Sequence, residues 1–135
     1  MGIRFLKIAV VYLVIAALLG LAMGIAEKFT LVPVHAHLML LGWASLALAG
    51  VVYHLFPTAA ATRLGVLHFW LHNIGLPLFM IGLSLVLTGS TWALPITIVG
   101  AITALVGLVL FAVNVHLNVK TAAAVAVPVT YQRAA

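Results

Sequence analysis

Six histidines carry nearly all the polar chemistry of this chain: His35, His37, His54, His68, His72 and His116. There is no cysteine, and the single acidic residue is Glu27. Every one of these imidazoles lies in or at the end of an apolar segment. A histidine is costly in hydrocarbon unless something binds it, so each intramembrane histidine is a candidate functional residue. Neutral imidazole is a ligand for heme iron and for copper or zinc, provided a partner holds its second ring nitrogen. Hydrolytic chemistry is not supported: one boundary carboxylate supplies neither an acid–base pair nor an activated nucleophile. The lack of cysteine excludes disulfides, thiolate metal sites and iron–sulfur clusters.

Spacing sorts the histidines. His35 and His37 are two residues apart, about 200° around a helix, so they cannot face one small ligand. One of them points inward and the other toward the interface or another protomer. His68 and His72 are four apart and share a helix face, a spacing able to chelate one metal ion. His54, His68 and His116 fall at similar depths, roughly 5–8 Å inside the membrane boundary marked by Pro57, Arg63 and Lys120, with His72 one turn deeper. Together these four form a candidate copper or zinc site, with Tyr53, Asn73, Asn114 and Asn118 as supporting hydrogen-bond partners. His54 and His116 also suit a plainer role near helix ends, reaching the interface or facing the helix dipole.

The elements that must position these groups are set by composition. Of 135 residues, 67% are hydrophobic and 5% charged, against about 45–50% and about 25% in soluble domains. The chain therefore reads as an all-α membrane protein. Its net charge of +5 comes from cations too few and scattered for nucleic acid. Four apolar stretches reach the roughly 20 residues a membrane helix needs: about 5–26, 32–56, 64–88 and 92–117. Short connections predict a four-transmembrane-helix antiparallel bundle over residues 1–120. Residues 121–135, with Pro128, read as a flexible or interfacial tail. Pro33 suits the first turn of the second helix, Pro57 helps end it, and Pro77 predicts a kink in the third. The first stretch exceeds the 7–15 apolar residues of a signal peptide and is expected to remain as a helix. Gly20-Leu-Ala-Met-Gly24 is a small-xxx-small pattern that permits close packing, within the bundle or between protomers.

Arg4, Lys7, Arg63, Lys120 and Arg133 fall on one side of such a bundle and Lys28 on the other. The excess of cations on the cytoplasmic side then places both termini in the cytoplasm, in a bacterial-type inner membrane. His35 and His37 lie near the outer face.

Two segments resemble a known family. His35-Ala36-His37-Leu38-Met39 resembles the His-Ala-x-Leu-Met start of transmembrane helix II in heme–copper oxidase subunit I. Gly50, Tyr53, Leu55 and Pro57 follow close to that helix's Gly…Asn-Tyr-Leu-x-Pro ending, one residue shorter. Arg63-Leu64-Gly65-Val66-Leu67-His68-Phe69-Trp70-Leu71 is similar to the helix III opening, Arg-Leu-Asn-Asn-x-Ser-Phe-Trp-Leu, and nitric oxide reductases also carry a Phe-Trp there. The resemblance implies a bundle like helices I–IV of that subunit, with heme b as cofactor and His35 as an axial ligand of low-spin heme iron. It stops short of a complete oxidase. The helices that carry the remaining heme and copper ligands have no counterpart, and Gly65, Val66 and His68 replace channel-type Asn and Ser positions.

The resulting expectation is a membrane cytochrome acting in electron transfer or in diatomic-gas or heme handling. His72, or a His35 or His37 from a second protomer, is the candidate opposing ligand. By depth, His72 lies about 14 Å from His35. A homo-oligomer embedded in the lipid bilayer is expected, with a possible respiratory-chain partner. Two alternatives stand beside it: a membrane protein that binds or delivers copper or zinc through His54, His68, His72 and His116, and a non-catalytic accessory subunit of a respiratory oxidase.

Overall fold

The computed structural model describes residues 1–120; the predicted tail 121–135 lies outside the described residues. Within them the chain is all-helical, with no strand. Four helices are long and apolar enough to cross a membrane, which makes this a multi-pass membrane protein. They are α1 (Gly2–Ala26), α2 (Val32–Leu55), α3 (Arg63–Leu87) and α4 (Leu94–Asn118). The helix α1 begins at Gly2, ahead of the apolar run proper, so the cations Arg4 and Lys7 sit in its first turns.

Each helix ends for a local reason. At the end of α1, Glu27 takes a left-handed conformation (φ 52°), and the amides of Glu27 and Lys28 bond the carbonyls of Gly24 and Met23. This is a Schellman-type termination, here without the glycine that usually supplies it. Pro33 lies in the first turn of α2, where its missing N–H leaves no bond broken. A single helical turn, Pro57–Ala60, follows α2. Thr62 then caps α3, its hydroxyl oxygen accepting from the Gly65 amide at 3.0 Å. Helix α3 runs unbroken through Pro77. A short 3₁₀ turn, Thr91–Ala93, leads into α4.

The helices pack as two pairs. In the pair α3–α4 the backbones touch. Gly75 and Gly100 face each other's helices so closely that a methyl group on either would overlap the backbone at Ala104 or Phe79. A methyl at Gly82 would lie 2.7 Å from the Thr97 amide nitrogen, and one at Gly107 3.0 Å from that of His72. Contacts descend α4 as they ascend α3, so the two run in opposite directions. Gly75 and Gly82 are two turns apart, as are Gly100 and Gly107, which puts a pair of glycines on one face of each helix.

In the pair α1–α2 the register is likewise reversed: Gly2 abuts Gly50 and His54, Tyr12 abuts Gly42, and Gly20 abuts His35. Two apolar clusters tie the pairs together. One joins Phe5, Leu46 and Tyr53 to Phe69 and Phe111; the other joins Ala16, Val34 and Leu38 to Leu76 and Met80.

Helix α2 contains a feature that composition does not announce. From Leu38 to Ser45 it is a π-helix, immediately after His35 and His37. The wider turn suits the side-chain bonds found there. Ser45 Oγ donates to the Leu40 carbonyl at 2.8 Å, and the Leu41 carbonyl accepts from His72 Nε2 at 3.1 Å. π-turns inside α-helices concentrate at functional positions.

Candidate functional site

The histidines divide into an outer site on α1–α2 and an inner polar network among α2, α3 and α4.

At the outer site, His35 is half-buried and leans on α1. Its Nδ1 donates to the Ala16 carbonyl at 2.9 Å. That carbonyl can only accept, so the neutral ring carries its proton on Nδ1 and keeps a lone pair on Nε2. The ring rests against the α-carbon of Gly20: a Cβ there would lie 2.8 Å from its Cε1. Nε2 makes no hydrogen bond among the described residues, and it is not among the enclosed unpartnered atoms. It therefore opens to the outside of the four-helix unit. Direction follows from helical geometry. Leu19 and Val34 line a groove toward α3 together with Leu38 and Met80, while Gly20 and His35, the next residue on each helix, are turned about 100° away.

His37 lies on the other side of α2. Its Nδ1 pairs with the Pro33 carbonyl of its own helix at 2.6 Å, and its ring meets Phe79 of α3 edge-on, with centroids 4.9 Å apart. The structure thus separates His35 and His37 onto opposite faces, and it does not bring His35 and His72 together.

The inner network starts at the loop end of α3. Asn114 is fully buried. Its amide nitrogen donates to the Ala59 carbonyl at 2.9 Å and to Tyr53 Oη at 3.2 Å. Its amide oxygen accepts from Asn118 Nδ2 at 2.8 Å and lies 3.0 Å from Thr62 Oγ1. Tyr53 Oη lies 3.1 Å from His68 Nδ1. His68 also stacks on Phe5, with centroids 5.0 Å apart, and His72 stands edge-on to it at 5.5 Å. Side chains from three helices and the 57–62 connection are joined in one hydrogen-bonded unit.

Of the four inner histidines proposed as a copper or zinc site, the structure joins His68 and His72 only. His54 and His116 are exposed, and His116 Nδ1 bonds the Ala112 carbonyl of its own helix at 3.0 Å. Depth placed them at the same level, but their angular positions face them outward. The described residues contain no group of three or more His, Cys, Asp or Glu able to hold a metal ion. Tyr53, Asn114 and Asn118 do join the network, whereas Asn73 turns back to the Phe69 carbonyl of α3 at 2.7 Å. Thr62 was missed by the sequence reading; its place just before Arg63, as helix cap, was the available signal.

No family model, curated protein or solved structure matches this chain. The resemblance to heme–copper oxidase subunit I rests on the residues quoted for it above.

Proposed function

We propose that this protein is a small membrane cytochrome of the heme–copper oxidase subunit I-like kind, with His35 as an axial ligand of heme b. The observation that carries this reading is the state of His35. Its Nδ1 proton is held by a backbone carbonyl, its Nε2 lone pair is open, and a glycine makes room for the ring. A neutral imidazole oriented through its other nitrogen is the donor that a heme iron takes. The two helices that carry the site are apolar throughout their spans, as a porphyrin's hydrocarbon faces require.

Heme bound here would supply one-electron redox chemistry or an iron able to hold a diatomic gas. The chain's own residues would hold and orient it. Ala16 fixes the His35 tautomer, Gly20 sets how closely the ring approaches α1, and the lipid-facing side chains keep water away. Because His72 is engaged with Leu41 and His37 faces α3, the opposing ligand is assigned to a second copy of the chain, through its own His35. The working assembly is thus a homo-oligomer of antiparallel four-helix bundles in a bacterial-type inner membrane, with the termini cytoplasmic. Two histidine ligands favour electron transfer, whereas an open sixth position favours gas binding.

The test is a visible spectrum of purified protein in mild detergent, oxidised and dithionite-reduced, after expression with ample heme. A Soret band with sharp reduced α and β bands, lost in His35→Ala, is the expected result. A colourless wild-type protein would overturn the reading.

A further inference from the structure

The two helix pairs leave a space between them at the end of the bundle that carries Lys28. A cavity of about 710 Å³ opens there, between the last turn of α1, the 27–31 connection and the turn at Thr88 and Gly89. Two residues of its wall, Leu19 and Leu31, also line the groove of about 400 Å³ that passes Leu38 and Met80. Cavity and groove thus form one continuous crevice. Its length follows from helical rise. The wall runs from Ala26 to Ile15 on α1, about 16 Å, and from Thr88 to Met80 on α3, about 12 Å. The hydrocarbon of a single leaflet is about 15 Å deep, half of a bilayer core of about 30 Å.

Polarity is graded along the crevice. Its deep part is apolar apart from Ser84, whose hydroxyl is spent on the Met80 carbonyl of its own helix at 2.7 Å. Polar side chains gather at the mouth, where Lys28, Thr30 and Thr88 line the wall. Thr88 donates to the Ser84 carbonyl at 2.9 Å and keeps oxygen lone pairs to accept with. Lys28 is exposed and is the one charged residue of the lining; Glu27, beside it in the chain, does not line the crevice. The left-handed turn that ends α1 holds Lys28 at the rim. Its amide bonds the carbonyl of Met23, and Met23 lines the same cavity.

We propose that this crevice binds one anionic phospholipid, with the headgroup phosphate at Lys28 and an acyl chain lying between the helix pairs. Charge complementarity argues for the headgroup, since the lining offers a cation and no anion. Depth argues for the chain, since the apolar wall is as long as a leaflet is thick. A soluble anion would use the mouth alone, and an uncharged isoprenoid would leave the lysine unused. A lysine stem lies easily along apolar surface while its ammonium reaches a headgroup. The lipid would fasten α1–α2 to α3 at the end opposite the inner network. The inference is independent of heme, because His35 and Gly20 are turned about 100° from the lining residues Val34 and Leu19.

The experiment is native mass spectrometry of the full chain from mild detergent, with dioleoyl-phosphatidylglycerol or dioleoyl-phosphatidylcholine added in equal amounts. Wild-type protein should retain one phosphatidylglycerol, roughly fivefold more often than phosphatidylcholine, as one lysine beside an anionic lipid is worth. Lys28→Gln should bring the two lipids to parity. Leu19→Trp, at the joint between cavity and groove, should lower retention of phosphatidylglycerol with Lys28 still in place. Equal retention of both lipids by the wild type overturns the proposal, as does a preference that survives Lys28→Gln. It is also overturned if an isoprenoid quinone co-purifies in the lipid's place, or if a lipid-free dimer forms that Leu19→Trp separates. Should Leu19→Trp fail to fold, the wild type and the exposed Lys28→Gln variant decide the matter alone.

Discussion

The His35 imidazole lies directly over the α-carbon of Gly20, so close that a single methyl group at position 20 would sit 2.8 Å from the ring. The contact explains why the ring can reach the Ala16 carbonyl. It also separates two glycines that look equivalent on α1, since a methyl group at Gly24 would meet nothing within 4 Å. Gly20→Val should therefore displace His35 and broaden or abolish the reduced α band, whereas Gly24→Val should keep it. Difference spectra of the two variants check this. Equal loss in both would remove the ring contact as the reason.

The assignment of the opposing ligand to a second copy predicts a ratio. Purified protein should contain about one heme per two chains, by pyridine hemochrome against protein mass in a light-scattering peak. Ligation by one imidazole from each copy follows from where His37 and His72 are engaged. A ratio of one heme per chain with two-histidine spectra would require a second ligand other than His35, from the same chain or its partner, and would defeat the assignment.

Asn114 should be a stability hot spot. It takes part in four side-chain bonds. At roughly 0.6 kcal/mol for a typical bond inside a membrane protein, their loss amounts to about 2 kcal/mol. Asn114→Leu should lower the unfolding free energy by that order in a denaturant titration in mixed micelles. Asn73→Leu, which removes a bond within one helix, should cost less than half as much.

A larger penalty is expected where backbones meet. Gly100→Val places its side chain against Phe79 of α3 and cannot be absorbed by rotation of a flexible neighbour. Overpacking of this sort costs about 1–3 kcal/mol or more. The variant should show earlier unfolding and a protease-sensitive α3–α4 connection. Unchanged stability would mean that the two helices do not pack through this seam.

Orientation has a direct assay, because the chain contains no cysteine of its own. Lys28→Cys should react with an impermeant maleimide in intact cells, and Thr58→Cys only after lysis. The reverse pattern would invert the assignment of the termini and move His35 to the cytoplasmic side.

The four helices were legible because length and apolar composition dominate in a bilayer. The separation of His35 and His37 was legible too, since helical geometry alone puts them on opposite faces. The inner histidines show where such reading stops. Depth can be counted along a sequence, but the direction in which His54 or His116 faces depends on how its helix is rotated, and packing sets that. The π-helix was invisible for a related reason: the Leu41 carbonyl bonds His72 on another helix, so the irregularity reflects a tertiary contact. The glycine pattern attracting notice on α1 was the contiguous one, Gly20 and Gly24. The seam where backbones touch is instead carried by Gly75, Gly82, Gly100 and Gly107, each two turns from its mate, and its meaning emerges only when α3 and α4 are laid side by side.

That seam also orders events in time. Every contact it makes lies between consecutive helices joined by a short turn, so α3 and α4 can zip together as soon as both are in the lipid, without waiting for a distant segment. The inner network forms only when the two helix pairs meet, because it joins Tyr53 of α2 to His68 of α3 and Asn114 of α4. The α1–α2 pair, also two consecutive helices in contact, can close in the same way, and the two hairpins then dock. The contacts that orient His35 are thus complete within the first half of the nascent chain, before the inner network exists.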